Sequence, residues 1–395
     1  MLLQRALLAT CLSILMAGGF AGSAYAQSPP ATDSTHSDPS FLTTAQEYAE
    51  DGIFSGVLLA RRGDQEVRFH AGIAEASWDV PMDPDARFEI YSVSKTVTAV
   101  AVLESVERGV LALDQPFCDV VDFCPDAWAP VTVRHLLTHR SGIPAVSGSM
   151  TEAWTGDFVE TLSVVLRESS DDLALQTAPG ASYRYSNFGY RLLATTLEVA
   201  WSEPLGEVLD RLVFTPAGMD DALMAEGAQP EDFQLPMDMG PREASIRRQL
   251  LTKAGPRAVP HLVSGYDGGP ETLIHVDVNG FTNAGASGVY ATADDLVAFL
   301  EALFVDQTLL EPESLDGMTT PAGNRESGYG LGLNIRRTDD GLKLFHTGGI
   351  NGFQIHAGYY PDTDGMVIYM SNHGFAPFPQ ITRAMETWAM DRGDS

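Results

Sequence analysis

The sequence of 395 residues contains few cysteines and few basic residues. Cysteine occurs three times, and no further His or Cys lies near the last two to complete a metal ligand set. Lysine and arginine number 24 against 53 aspartates and glutamates, which gives a formal net charge of −29 at pH 7. A chain with this charge is repelled by phosphate backbones and anionic lipid. The composition therefore argues against a nucleic-acid partner.

Motifs that define several other enzyme classes are also missing. The sequence has no G-x-S-x-G elbow, no H-E-x-x-H pair, no G-x-x-x-x-G-K-[ST] loop and no G-x-G-x-x-G run that opens a helix. These absences argue against metal-dependent hydrolysis and nucleotide chemistry, so we expect neither a metal nor a cofactor. Apolar residues make up 44% of the chain, which is typical of a globular protein with a sizeable core.

The N-terminus has the pattern of a secretory signal. A basic residue precedes an apolar stretch at 6–20, and the A-Y-A run at 24–26 has the form of a signal-peptidase site. We expect a signal peptide over 1–26, a disordered linker over 27–40 and a periplasmic or secreted mature protein with no stable membrane insertion. A membrane anchor and lipid attachment at Cys11 are the alternatives, but the apolar stretch is short for a membrane span.

The two remaining cysteines, Cys118 and Cys124, are close enough in sequence to bridge. Export would place them in an oxidising compartment, where disulfides persist. We expect a small-loop disulfide between them, with two buried thiols as the alternative.

Hydrophobic patterning divides the chain into strands, then helices, then strands. A helix at 42–51 precedes a predicted β-hairpin with strands at 56–60 and 66–71. Helical stripes then follow at 93–109, 133–138 and 190–200. Strands return at 342–345, 353–360 and 366–371, and a helix at 379–390 closes the chain.

This order predicts an α/β (α+β) fold with an antiparallel sheet built from both ends of the chain. Helices would flank the sheet, and a mainly helical domain would be inserted between its two halves. We place the whole hydrolase domain at 41–395, its α/β part at 41–91 and 283–395, and its helical part at 92–282. The segment 225–260 fits neither pattern and is expected to be a loop or cap.

Ser92 and Lys95 form an S-x-x-K motif at the start of an apolar helix. Residues three apart on a helix project from the same face, so the hydroxyl and the amine would lie together. A serine needs a base to take its proton, and a lysine can serve when burial or nearby positive charge lowers its pKa. Alone, the motif is common and equally describes a helix cap beside a solvated lysine.

Two further segments carry side chains suited to acyl transfer. Tyr185 and Asn187 lie on a predicted loop, where a phenol can relay a proton and an amide can hold a carbonyl. His346 begins an H-T-G-G run at the end of a predicted strand, where paired glycines allow close approach of a ligand. Taken separately, aromatic packing, a turn asparagine and a solvent-facing histidine explain these residues equally well.

Together, the S-x-x-K, Y-x-N and H-x-G motifs occur in an order that resembles the serine β-lactamase and penicillin-binding protein superfamily. The chain is similar to its class C β-lactamase-related branch over about residues 41–390. Further landmark runs of that branch are matched at 88–96, 111–114, 131–144, 216–219 and 291–296.

The resemblance implies a β-lactamase/transpeptidase-like fold and assigns catalytic roles. Ser92 would be acylated, and Lys95 and Tyr185 would handle its proton. Asn187 would contact the amide or carbonyl of the substrate. Two histidines of the R-H-L-L-T-H run, His135 and His139, are interpreted as structural.

The third motif would complete the substrate site. His346, Thr347, Gly348 and Gly349 would bind substrate, and the backbone N–H groups of Ser92 and Gly349 would stabilise the oxyanion. His346 departs from true class C β-lactamases, which typically carry lysine at this position. The H-T-G run instead resembles certain D-alanyl-D-alanine carboxypeptidases and related D-peptidases and family VIII esterases.

We therefore expect an exported, monomeric serine hydrolase that cleaves a peptide, amide or ester bond through an acyl-enzyme. Its substrate would be a small molecule or a peptide, including peptidoglycan-derived ones. A carboxypeptidase should also present a cation to the terminal carboxylate, for which Arg325, Arg336 and Arg337 are candidates. A true β-lactamase and a non-catalytic cell-wall-binding protein are the alternatives.

Overall fold

The computed structural model covers most of the chain after the N-terminal segment. It describes residues 39–392 except 77–79, 147–149, 151, 154, 170–172, 225–262, 271, 277–282 and 324. The expected signal peptide at 1–26, nearly all of the linker at 27–40 and the unassigned segment at 225–260 lie outside the described residues. Among the helices that are described, none combines the length and the apolar character needed to cross a membrane.

The strands are short except in the main sheet. In chain order they are β1 (Gly56–Arg62), β2 (Gln65–Ala71), β3 (Ile73–Glu75), β4 (Val80–Pro81), β5 (Phe88–Glu89), β6 (Leu223–Met224), β7 (Gly265–Gly269), β8 (Thr272–Val276), β9 (Val289–Ala291), β10 (Gly328–Tyr329), β11 (Asn334–Thr338), β12 (Gly341–Ile350), β13 (Phe353–Tyr360) and β14 (Gly365–Ser371).

Both ends of the chain contribute to one seven-stranded sheet, in the order β10-β11-β12-β13-β14-β1-β2. Every neighbouring pair in this sheet is antiparallel, and β1 joins the two halves by pairing Gly56 with Ser371 and Arg62 with Gly365 of β14. This confirms the predicted antiparallel sheet built from the N- and C-terminal segments.

Ten α-helices are present in the described chain. In chain order they are α1 (Ser40–Glu50), α2 (Ser94–Glu107), α3 (Val133–Leu137), α4 (Phe158–Glu168), α5 (Asn187–Trp201), α6 (Leu205–Leu209), α7 (Thr215–Ala217), α8 (Ala293–Leu300), α9 (Pro312–Thr319) and α10 (Phe378–Ala389). A 3₁₀ turn at Tyr91–Val93 leads directly into α2.

The sheet separates two apolar cores because neighbouring side chains of a strand point to opposite faces. On β1, Leu58 and Ala60 face one core, which α1 and α10 cover with residues such as Phe41 and Met385. Val57 and Leu59 face the larger core, which continues into the helical region. A strand buried on both faces explains why β1 is apolar at consecutive positions.

Helix α2 lies inside the larger core and is buried around nearly its whole circumference. Val97, Val100 and Leu103 are fully buried, and so are the polar residues Ser94 and Thr98. Such an all-round buried helix is typical of the centre of a large domain. Its N-terminus, which carries Lys95, is therefore removed from solvent by the fold itself.

The middle of the chain is less purely helical than predicted. Strands β6, β7 and β8 fall within 92–282, and β6 forms a small sheet with β5 and β9 in the order β5-β9-β6. These strands are two to five residues long, too short for an alternating pattern to stand out in the sequence. Cys118 and Cys124 are joined by a disulfide in this region.

Candidate active site

Ser92 lies in the 3₁₀ turn that connects β5 to α2. The preceding residue, Tyr91, has φ +45, in the left-handed region that a bulky residue rarely adopts. Backbone conformations of this kind cost about 1–3 kcal/mol and persist where the surrounding structure imposes them. The turn presents the Ser92 side chain at a cleft while its neighbours Tyr91 and Val93 are buried.

Lys95 lies one helical turn after Ser92, and its amine contacts the Ser92 hydroxyl. The Nζ atom is 3.1 Å from Ser92 Oγ and donates to the carbonyl oxygen of Ala286 at 2.8 Å. Lys95 is 0% exposed. Burial, helped by the positive charge of Arg191, lowers the pKa of Lys95 to about 7. The neutral amine is therefore accessible near neutral pH and can take a proton from Ser92.

Tyr185 lies on the other side of the amine, immediately before α5. Its ring centroid is 5.0 Å from Lys95 Nζ. Burial raises the pKa of Tyr185 to about 12, with a hydrogen bond to the Ser92 side chain acting in the opposite direction. The phenol is therefore neutral at pH 7 and can donate its proton.

The loop that carries Tyr185 is fixed by Ser186 and His139. Ser186 caps α5 by accepting the N–H of Gly189 at 3.0 Å, and its own N–H donates to His139 Nδ1 at 3.2 Å. The rings of His139 and Tyr185 are 4.4 Å apart. His139, interpreted from the sequence as structural, therefore packs against the loop that carries Tyr185 and stabilises it. His135 instead completes a capping box with Thr132 at the start of α3.

Two buried imidazoles line the region behind the amine. His346 is 4% exposed, and its Nε2 lies 3.0 Å from the hydroxyl of Tyr329. Burial, followed by the charge of Lys95, lowers the pKa of His346 to about 3. The same two causes hold the pKa of His139 well below its usual value. Both rings are neutral at pH 7, so this region offers no permanent positive charge at the position of His346.

Strand β12 brings the glycines of the third motif against the nucleophile. A Cβ atom on Gly348 would overlap the carbonyl oxygen of Ile90 and lie 3.0 Å from the backbone nitrogen of Ser92. Only glycine allows this approach, which places the backbone of Gly348 and Gly349 beside the turn that carries Ser92. The close approach brings the backbone of the third motif next to the backbone N–H of Ser92, as an oxyanion site built from both segments would need.

The three motifs meet at a cleft of about 540 Å³. Its lining residues are Ser92, Tyr185, Asp267, Thr347, Gly348, Gly349, Ile350, Asn351, Phe353, Gln354, Gly374 and Phe378. The predicted substrate residues Thr347, Gly348 and Gly349 are among them.

Several predicted substrate-binding residues do not line this cleft in the part of the chain that the structure describes. Asn187 is the exposed first residue of α5, and His346 is buried behind the cleft. Arg325, Arg336 and Arg337 are absent from the lining as well, and the guanidinium of Arg336 instead lies 5.4 Å from the ring centroid of Phe345.

Other residues of the site carried no recognisable signal in the sequence. The Ala286 carbonyl that binds the amine and the Tyr329 hydroxyl beside His346 belong to none of the three motifs, and the Arg191 guanidinium follows the Y-x-N motif by four residues without forming part of it. They come together only through tertiary packing. Within the described residues, no group of three or more His, Cys, Asp or Glu side chains could hold a metal ion.

Known proteins share both the sequence pattern and the fold. The family model described as Beta-lactamase matches residues 42–388. Esterase EstB of Burkholderia gladioli is 32% identical over 72% of this chain and 75% of its own length. A D-aminopeptidase of Gluconobacter oxydans is 24% identical over 82% of this chain and 56% of its own length. The crystal structure of a penicillin-binding protein from Bacillus halodurans superposes with a TM-score of 0.68 at 23% identity, over 87% of this chain and 98% of the other.

Proposed function

Because the chain belongs to the β-lactamase family and is a serine hydrolase of that fold, we propose that it cleaves ester or amide bonds through an acyl-enzyme on Ser92. The observation that carries the proposal is the contact between Lys95 Nζ and Ser92 Oγ at 3.1 Å, because burial lowers the pKa of this amine to about 7. A nucleophile within hydrogen-bond reach of a base with a pKa near 7 is what acyl transfer requires.

The proposed reaction proceeds in two halves. Neutral Lys95 takes the Ser92 proton as Oγ attacks the carbonyl carbon, and the backbone N–H groups of Ser92 and Gly349 stabilise the oxyanion. The bond to the leaving group breaks as the hydroxyl of Tyr185 protonates it, and the proton on Lys95 restores the phenol. Water then attacks the acyl-enzyme by the reverse route, and release of the acid regenerates Ser92.

The buried site favours an ester or an unstrained amide over a β-lactam. A β-lactam carries a carboxylate, and His346 supplies no positive charge to bind it because its pKa is lowered to about 3. The names of the relatives, an esterase and a D-aminopeptidase, support the same preference. We further propose that the protein is exported, since the A-Y-A run at 24–26 has the form of a signal-peptidase site.

A fluorophosphonate probe tests the nucleophile directly. We expect the probe to label the wild type and not Ser92→Ala. Ser94→Ala is a matched control, because Ser94 is buried on α2 and its Oγ accepts the N–H of Val289 at 3.3 Å, away from the cleft lining. Labelling of Ser92→Ala would contradict the assignment, and a wild type that is never labelled would indicate a non-catalytic binding protein.

A substrate panel tests the bond that is cleaved. It compares p-nitrophenyl butyrate, D-alanine p-nitroanilide, a D-alanyl-D-alanine peptide and a chromogenic cephalosporin. We expect the ester or the anilide to have the highest kcat/KM. Dominant turnover of the cephalosporin would overturn the substrate assignment while leaving the acyl-enzyme intact.

A further inference from the structure

One acidic side chain faces the cleft. Asp267, on β7, is the only residue with an ionised side chain among the described residues that line it. It is partly exposed, and its Oδ1 accepts the N–H of Gly268 at 2.8 Å, which fixes the orientation of the carboxylate. The described lining therefore has a negative charge and offers no cation to a substrate carboxylate.

A second acceptor lies next to this carboxylate. Gln354, on β13, donates from Nε2 to the carbonyl oxygen of Gly374 at 2.6 Å, which fixes the amide so that Oε1 is its free end. Oε1 is buried and has no hydrogen-bond partner among the described residues. Burying an acceptor without a donor costs free energy, and such groups often accept a hydrogen bond from a ligand or a water molecule.

Gly374 brings the two acceptors to one end of the cleft. Its carbonyl holds Gln354, and a Cβ atom on Gly374 would lie 3.5 Å from Asp267 Oδ1. Gln354 also pairs in register with Gly349, the glycine assigned to the oxyanion site. Gln354, and through Gly374 also Asp267, is thus linked to the glycine whose backbone N–H would hold the substrate carbonyl.

We propose that Asp267 and Gln354 form a subsite for a primary ammonium group, so that the enzyme prefers ester or amide substrates whose acyl part carries a free amine. This inference rests on the proposed function of the same cleft. An ammonium group has three donors and no acceptor, which matches one carboxylate and one unpartnered amide oxygen. The net charge of −29 also draws cations toward the protein.

A bound metal ion explains the subsite less well. A hard cation such as calcium requires six to eight oxygen ligands, and magnesium requires about six in octahedral geometry. The described cleft has a single carboxylate, and its other side-chain oxygens belong to neutral amides and hydroxyls; no described group of acidic, His or Cys side chains is arranged for a metal.

Matched substrates test the subsite. D- and L-alanine p-nitroanilides and methyl esters are compared with their N-acetyl derivatives, which differ in charge at one nitrogen. For the wild type we expect kcat/KM to be about 10- to 100-fold higher for the free amines, since a charge-assisted hydrogen bond is lost on acetylation. In Asp267→Asn this ratio should fall to near one, mainly through a lower kcat/KM for the free amines.

Two variants separate the local effect from the overall charge. Asp306→Asn removes the same charge at an exposed position outside the cleft lining and should keep the full preference. Asp267→Lys should reverse the preference toward N-succinyl-alanine p-nitroanilide. An unchanged ratio in Asp267→Asn, or an equal fall in Asp306→Asn, would overturn the proposal.

A binding experiment keeps the subsite testable without turnover. D-Alaninamide should bind Ser92→Ala about tenfold more tightly than it binds Ser92→Ala/Asp267→Asn in calorimetry. Equal binding would refute the ammonium subsite even if the hydrolase is active. Tight, Asp267-dependent binding in a protein that fluorophosphonates do not label would instead refute the catalytic proposal and leave the subsite standing.

Discussion

The rim of the cleft and the region behind it differ in how far they are removed from water. The region behind the cleft, its back wall, is formed by Lys95, His139, Tyr329 and His346 and is buried, with Lys95 0% exposed. The rim, formed by Asp267, Ile350 and Asn351, is open, and Ile350 is 52% exposed. Burial lowers the pKa values of Lys95 and His346 in the back wall.

This difference indicates that the two regions have different functions. Desolvation at the back wall prepares the neutral amine that acyl transfer uses and keeps the neighbouring imidazoles neutral, so a change there should affect every substrate alike. A change at the rim should affect substrates according to their charge. Four experiments test this division.

Replacing the amine at the back wall should have the largest effect. Lys95→Met keeps the length of the side chain but removes the base, so kcat/KM should fall by about 10²- to 10⁴-fold for all substrates. The free energy of unfolding should not fall, because the variant no longer buries a strongly polar group. Enzyme kinetics and urea unfolding measure the two quantities.

Lys343→Met is the matched control for that variant. Lys343 forms an ion pair with Glu386 at 2.9 Å and does not line the cleft, so activity should be retained. Ester turnover of Lys95→Met within tenfold of the wild type would show that Lys95 is not the base.

Adding one methyl group beside the nucleophile should have the next largest effect. Gly348→Ala forces its Cβ against the Ile90 carbonyl and moves the turn that carries Ser92, which should lower kcat by about 10²-fold. Gly317→Ala, on α9, has room for a Cβ and should leave kcat unchanged. Equal activity of the two variants would mean that the close approach of β12 to Ser92 is unimportant.

The pH dependence of kcat/KM should follow the protonation of Lys95 in the back wall and should not depend on Asp267 at the rim. The protonated amine of Lys95 cannot accept a proton, so kcat/KM should rise about tenfold per pH unit below a midpoint near 7 and level off above it. Asp267→Asn should keep this midpoint for a neutral ester. A profile that is flat from pH 5 to 9, or that rises only near pH 10, would contradict the assignment of Lys95.

Removing the arginines outside the cleft should have the smallest effect. Arg325→Ala, Arg336→Ala and Arg337→Ala should each change kcat/KM for a carboxylate-bearing peptide by at most about twofold, since none of them lines the described cleft. A large loss in any of them would show that the rim extends to that residue and would favour a carboxypeptidase.

Most of the main sheet and the long helices could be predicted from local patterns. Strand β13 has the predicted bounds, and α2 and α5 agree with prediction within about three residues at each end. The helices α4, α6, α7, α8 and α9, the strands β10 and β11 and the small sheets were not predicted. The shortest of these elements contain too few residues for a period of 2 or 3.6 to be distinguished, whereas α4 has 11 residues with a buried apolar face and could have been recognised.

The candidate site shows the same limit. The order of the three motifs indicated the nucleophile, its base and the glycines beside them, because S-x-x-K fixes two side chains on one face of a helix. Nothing local indicated Ala286, Tyr329 or Asp267, which act from other elements. The three arginines that the sequence offered near His346 are absent from the described lining, and their contact with substrate stays a prediction to be tested.

The sequence alone determined the family, the antiparallel sheet and the pairing of Ser92 with Lys95, because these depend on local spacing and on the order of motifs. Only the tertiary structure decided that Lys95 is fully buried and that His346 is neutral behind the cleft. It also decided that Asp267 lines the cleft. The reason is physical: a pKa and the charge of a cleft depend on what surrounds a group in space, and residues distant in the chain provide most of those surroundings.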